Sequence, residues 1–289
     1  MRDKICILIQ TNDDYDWLWK GIFLSWKLNW DWEEFNFPVY VITETKDFNS
    51  CHKDADFNTI NVGAELNGPS NFSTKLIRGL NYLKEKGFTH ILYAQDDSWP
   101  YTSPDSKIIK SCMNLMIDEN IDCFYIHENR SWFPFTVKDT GISINQKMVR
   151  RFVKGSRFYY NHGNAIWNID SLLSLQREGE GPYENEANAT TRCWESLPKS
   201  YLINYPWYDQ EKIHWKGEFK ESGLQIVNDL IFRYAWETRP EFMYSFIAND
   251  GSIIPIKPDD PYFDRIEIEE HRKLFGASHG YHFSNYAEL

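Results

Sequence analysis

His90-Ile91-Leu92-Tyr93-Ala94-Gln95-Asp96-Asp97-Ser98-Trp99 is the stretch on which the fold turns. After His90, Ile91 to Ala94 form an unbroken apolar run of the kind found in strands covered on both faces, and the stretch goes on into two adjacent carboxylates. In open α/β sheets ligands sit outside the carboxyl ends of the strands, so an acidic pair at such an end points to a site. Adjacent carboxylates repel one another unless a cation or hydrogen-bond donors compensate, and hard divalent ions such as Mg²⁺ or Mn²⁺ take oxygen ligands of this kind. A turn in which Asp96-Asp97 merely caps the way into the next helix uses the same residues, and spacing alone does not separate the two readings.

Upstream of this stretch, Phe72, Leu76, Ile77, Leu80 and Leu83 line one face of a helix that follows Gly68-Pro69 and is ended by Gly87. Further back, Lys4 to Thr11 (KICILIQT) is a buried strand bounded by Asn12, Asp13 and Asp14. Tyr15, Leu18, Trp19, Ile22, Phe23 and Trp26 then recur at helical spacing, with Asp13 or Asp14 as the cap. Pro38 to Thr43 and Asn58 to Val62 read as two more strands. Downstream, Ser103-Pro104 opens a helix carrying Ile108, Ile109, Cys112, Met113 and Met116, and Asp122 to His127 is a fifth strand. Strands alternating with helices predict an α/β fold with an open sheet flanked by helices.

The remainder is less periodic. Asn129 to Tyr160 reads as extended segments and loops, and Ala165-Ile166-Trp167 as strand-like. Short helices are expected at Asp170 to Gln176 and at Thr190 to Leu197, the latter stopped by Pro198, with a further helix around Val227 to Trp236. No linker, repeat or low-complexity tract interrupts the chain, which predicts a single domain over residues 1–289 with an elaborated, aromatic-rich C-terminal half.

Composition narrows the function. Lys plus Arg number 31 against 42 Asp plus Glu, a formal charge of −11, and no basic block exists to neutralise a nucleic-acid backbone. The chain is 42% hydrophobic and 25% charged, a globular balance, and its apolar runs are too short for a transmembrane segment. Residues Met1 to Lys4 run straight into a strand with no secretory signal, and the five cysteines form no CxxC pair. The expected compartment is therefore cytoplasmic, with the sequons at Asn71, Asn129 and Asn188 left unused. Aromatic residues make up 17% of the chain, an excess that suits stacking on sugars or bases as well as core packing.

The order strand, helix, strand, strand, helix, then a strand running into Gln95-Asp96-Asp97 resembles glycosyltransferases of the GT-A fold, in particular bacterial-type surface-polysaccharide transferases with a DxD-like motif. The likeness is carried by Ser70 to Trp99 (SNFSTKLIRGLNYLKEKGFTHILYAQDDSW), and Gln95 departs from the family pattern where a first Asp is expected. The resemblance implies that residues 1–130 bind a nucleotide-sugar donor and 131–289 a glycan or glycolipid acceptor. It implies Mn²⁺ or Mg²⁺ on Asp97, with Asp96 on the metal's water or the donor, Gln95 on a sugar hydroxyl, and Thr11 and Asp13 near the nucleoside. Lys75 and Arg78 are implied at the diphosphate, on what otherwise reads as a solvated helix face. His162, Gly163 and Asn164 are implied in a loop over the sugars, otherwise an ordinary turn. Trp194-Glu195 resembles the element from which inverting members draw the general base; Glu184, Glu186 and Asp229 compete for that role, and His279 or His282 for a late metal ligand. Two rivals remain open: a nucleotidyltransferase, which would want a glycine-rich basic loop where Gln10 to Asp16 is acidic, and a non-enzymatic carbohydrate-binding protein.

Overall fold

Strands β1 (Ile5–Gln10), β2 (Val39–Thr43), β3 (Asn58–Asn61), β4 (His90–Gln95), β5 (Cys123–Ile126), β6 (Val137–Ile144), β7 (Lys147–Phe152), β8 (Ala165–Asn168) and β9 (Ser200–Ile203) form one mixed sheet in the order β3-β2-β1-β4-β8-β5-β9-β7-β6. They belong to a computed structural model that describes residues 4–52, 54–100, 103–126, 137–203, 205, 214–215 and 218–219. The chain divides into two compact units, Met1–Gln210 and Glu211–Leu289. In the second, the strand pair His214–Trp215 and Glu218–Phe219 is antiparallel. The helix expected around Val227 to Trp236 lies outside the described residues.

Helices α1 (Asp16–Asn29), α2 (Phe72–Glu85), α3 (Ser106–Glu119), α4 (Ile169–Leu175) and α5 (Pro182–Ser196) flank the sheet. Strand residues of one parity, Cys6, Leu8, Tyr93, Tyr125 and Trp167, share a core with Leu76 and Leu80 of α2, Leu172 of α4 and Cys193 of α5. Ile7, Ile9, Leu92 and Phe124, of the other parity, are equally buried. Both faces are therefore covered, which is why β1 and β4 read as continuous apolar runs rather than alternating ones. The fold is the α/β sheet with flanking helices that the sequence predicts.

The centre of the sheet differs from a simple doubly wound order. β1 pairs parallel with β2 and β4, but β4 and β5 do not touch: β8 lies between them, antiparallel to both. Beyond β5 the sheet continues through parallel β9 to antiparallel β7 and β6, a hairpin inside the region read only as extended segments.

Three helix boundaries are corrected. Asn12, not Asp13 or Asp14, caps the first turn by accepting the Asp14 N–H at 3.0 Å, which leaves the Asp13 carboxylate free for another task. Asp105 rather than Ser103 caps α3, accepting from Lys107 and Ile108. The helix expected at 190–197 begins at Pro182, because Pro182 supplies a preset first-turn residue although Glu184 to Ala187 lack an apolar stripe. Gly87 ends α2 as expected, with φ +84°, and Phe88 returns its N–H to the Leu83 carbonyl.

Candidate functional site

The acidic turn is held from three sides. The Asp96 N–H donates to the Gln10 carbonyl at 3.1 Å, tying the end of β4 to the end of β1. The Thr11 hydroxyl donates to Asp96 Oδ2 at 2.9 Å and accepts from the Trp19 indole N–H at 3.0 Å. The Trp99 indole N–H donates to the Asp96 carbonyl at 2.7 Å. Trp99 itself brings the outer edge of its six-membered ring against α1 at Gly21, where a Cβ would come within 2.1 Å of the indole, so a glycine is what lets helix and ring meet. Asp97 is 7% exposed. Packing of Trp99 on α1 draws the whole turn inward.

Among the described residues no three His, Cys, Asp or Glu side chains converge into a metal cage. Mg²⁺, however, commonly takes one or two carboxylates and completes its shell with water and substrate phosphates. Asp96 and Asp97, hard oxygen donors side by side, fit that mode. Gln95, the register partner of Gln10, presents its amide at the same strand end. Gln10 is already engaged, accepting from the Tyr93 hydroxyl at 2.8 Å and donating to the Phe72 carbonyl at 2.9 Å.

Asp13 does not project toward a ligand space. Its carboxylate accepts from the N–H groups of Glu44 at 3.0 Å, Thr45 at 2.9 Å and Lys46 at 3.2 Å, and from the Thr45 hydroxyl at 2.6 Å. Burial pushes the Asp13 carboxyl upward, but these donors outweigh it and hold the group below the ordinary carboxylate range. A depressed folded-state value stabilises the protein above the unfolded carboxylate range near pH ~4, and the benefit is lost as pH falls through the folded value. Asp13→Asn is therefore expected to flatten the dependence of the unfolding midpoint on pH below ~4, measured by thermal melts from pH 7 to 2.5. An unchanged acid limb would remove Asp13 from the account.

Glu44, which the sequence reading passed over, completes this cluster. It follows the apolar run of β2 directly, the same signature that singled out Asp96-Asp97. Its Oε2 accepts the Asp13 N–H at 2.5 Å, and its Oε1 pairs with Lys75 Nζ at 2.5 Å, both side chains almost wholly buried at 4% and 2% exposure. Lys75 is thus not on an exposed helix face and does not reach out to a diphosphate, a correction set by the burial of its α2 position against β2. Arg78 is exposed, donates to the Val62 carbonyl and pairs with Glu65, a surface contact worth little.

The fold does bring the loop 162–164 to the acidic turn. Ala165 of β8 is the register partner of Tyr93 in β4 and of Tyr125 in β5, so the residues just before it lie beside the strand end that carries Gln95-Asp97. The His162 ring packs edge-on against Phe72 at 4.6 Å, and Gly163 donates to Asn161 Oδ1. Asn164 is 1% exposed, and neither end of its side-chain amide has a hydrogen-bond partner. Glu186, in the second turn of α5, accepts the His162 N–H at 3.0 Å.

Trp194 and Glu195 are at the other end. β4, β5 and β9 all point the same way, and α5 ends just before β9 begins. Glu195 therefore lies by the amino ends of these strands, while Asp96 and Asp97 lie at the carboxyl ends. Trp194 is spent structurally, its indole N–H donating to the Ser156 carbonyl at 2.9 Å. The base assignment to Glu195 is accordingly withdrawn: an eight-residue helix would have left its position open, whereas the longer α5 carries Glu186 to the site and Glu195 away from it. Glu184 is exposed in the first turn of α5. Asp229, His279 and His282 lie outside the described residues.

No protein-family model matches the chain, and no curated protein matches it. No helix among the described residues is long and apolar enough to cross a membrane. Among solved structures, residues 1–349 of S. aureus TarS in complex with UDP are similar at 10% identity, with 86% of this chain and 76% of that one covered and a TM-score of 0.48. CMP:2-keto-3-deoxy-manno-octonic acid synthetase complexed with CTP is similar at 12% identity, covering 80% of this chain and 100% of that one, with a TM-score of 0.47.

Proposed function

We propose that this protein is a glycosyltransferase that moves a sugar from a nucleoside-diphosphate sugar to a hydroxyl of a glycan or glycolipid acceptor. The observation that carries the reading is the Asp96-Asp97 turn at the carboxyl end of β4, oriented by Thr11 from the end of the adjacent parallel strand. A strand-end carboxylate pair held this rigidly meets little reorganisation when it receives a cation-bound diphosphate. Mg²⁺ or Mn²⁺ held by Asp97 and Asp96 would supply charge neutralisation of the leaving nucleoside diphosphate. Gln95 and Asn164 bring amide donors and acceptors to the same end for sugar hydroxyls.

Proton removal from the acceptor requires a carboxylate within hydrogen-bond reach on the side away from the leaving group. Glu186 is an α5 carboxylate at the correct end of the sheet, and its bond to the His162 N–H places it beside the loop that adjoins the acidic turn. A single displacement assisted in this way inverts the anomeric configuration.

Thermal melts with nucleoside diphosphates, nucleotide sugars and free sugars, each with and without Mn²⁺, test the reading. A diphosphate at ~100 Kd is expected to stabilise by about 2.7 kcal/mol, and more with Mn²⁺ than without. Stabilisation by free sugars alone would favour a carbohydrate-binding protein. Preference for a nucleoside triphosphate with a sugar acid or sugar phosphate would favour a nucleotidyltransferase.

A further inference from the structure

A cavity of about 480 Å³ lies where β7 ends and β9 begins, at the opposite end of the sheet from the acidic turn. Its walls include Lys138, Arg151, Lys154, Phe152, Tyr159 and Tyr201. Lys138 and Arg151 are direct register partners in the β6–β7 hairpin, and Arg151 is in turn the partner of Tyr201 in β9. Like charges placed opposite one another across a sheet destabilise it. Here no carboxylate among the described residues offsets them. Asp139, the nearest acidic lining residue, is paired with Arg150 at 2.8 Å, and Lys138, Arg151 and Lys154 make neither an ion pair nor a side-chain hydrogen bond with any described residue.

A basic composition does not explain the cluster, because acids outnumber bases 42 to 31 over the chain. Three uncompensated cations round one cavity are a local feature. The apolar side of the cavity is aromatic and fixed. Tyr159 is buried and its hydroxyl donates to the Pro198 carbonyl at 2.7 Å, Phe152 is buried, and Tyr201 packs edge-on against Phe124 at 6.2 Å. Phe152 and Tyr159 form the floor, Tyr201, partly exposed, is the ring left to contact the apolar face of a sugar, and Lys and Arg take phosphate or carboxylate oxygens.

We propose that this cavity binds an anionic glycan, a short run of sugar units bearing phosphate or carboxylate groups. The further statement that it holds an acidic acceptor polymer at a distance from the reacting hydroxyl rests on the glycosyltransferase reading. Binding itself does not.

The test is fluorescence anisotropy of the full chain with labelled oligogalacturonate, phosphorylated dextran, neutral dextran of the same length, and a single-stranded oligonucleotide of the same charge. At least one anionic saccharide is expected to bind about tenfold or more tightly than neutral dextran, weakening as salt rises, and the better of the two identifies the anion. Lys138→Gln/Arg151→Gln/Lys154→Gln is expected to weaken that binding by about tenfold or more, while the melting midpoint holds or rises as the like-charge pair is removed and the shift given by a nucleoside diphosphate stays as in the wild type. All three side chains are exposed, and Lys154→Gln alone, outside the strands, is expected to weaken binding in the same direction. Equal binding of neutral dextran, equal binding of the oligonucleotide, or unchanged binding by both variants would overturn the proposal. Loss of binding in a protein that no nucleotide stabilises would leave the cavity's ligand standing and remove the acceptor role.

Discussion

Asp97→Asn is expected to lower sugar transfer by about 10²- to 10³-fold, an effect of about 3 to 4 kcal/mol on the barrier, and to remove the Mn²⁺ dependence of donor binding. Asparagine keeps the size of the side chain and one oxygen but loses the charge that a hard cation requires. The turn should survive the change, since the Thr11 hydroxyl on Asp96, the Trp99 indole on the Asp96 carbonyl and the seating of that ring on Gly21 do not depend on the Asp97 charge, and asparagine keeps an oxygen toward the Ser98 hydroxyl. The readouts are initial transfer rates and calorimetric titration of the nucleoside diphosphate with and without Mn²⁺. Near-wild-type transfer at saturating Mn²⁺ would show that the metal assignment is wrong. Asp96→Ala, by contrast, also strips Thr11 of its acceptor, so it should lower the melting midpoint as well as the rate, and the two aspartates are separable on that basis.

Lys75→Met should cost about 3 to 5 kcal/mol of stability, a large share of the roughly 5 to 15 kcal/mol available to a folded domain. The reason is the neighbour left behind. Glu44 is 2% exposed, and without the ammonium 2.5 Å away it must either stay ionised in a dry environment or take up a proton. Glu44 also receives the Asp13 N–H, and Asp13 holds three successive N–H groups of the chain after β2, so the disturbance spreads to the loop joining the ends of β1 and β2. Glu44→Gln/Lys75→Met removes both charges and is expected to recover most of the loss. Urea unfolding midpoints at constant slope measure this. A single Lys75→Met variant as stable as the wild type would mean that the pair contributes only geometry.

The first five strands and α2 were legible because each is a short apolar run or stripe bounded by a turn residue, and the local pattern carries its own boundaries. Gly87 after Leu83 is an example. The place of β8 was not legible: Ala165-Ile166-Trp167 announces a strand, but three apolar residues carry no information about which edges they join. α5 was half legible for a related reason, since Cys193 and Ala189 mark its apolar face while the turn from Tyr183 to Glu186 contains none. That shorter helix placed the proposed base at Glu195, nine residues from Glu186, the carboxylate that α5 carries to the acidic-turn end. Lys75 was misplaced because a lysine among Leu76, Ile77 and Leu80 reads as solvated unless its counter-ion is known, and Glu44 lies 31 residues away in sequence.

The insertion of β8 between β4 and β5 has a consequence for the order of synthesis. When Ile126 has left the ribosome, β1 to β4 can already be paired, but β4 has a bare edge and β5 has no neighbour, because both wait for residues 165–168. An open strand edge invites pairing with other chains. Until the antiparallel strand arrives, the nascent chain must be kept from self-association by delay, by charge or by a chaperone. The acidic turn escapes this delay, because the groups that anchor it, Gln10, Thr11, Trp19, Gly21 and Trp99, all precede β5 in the chain.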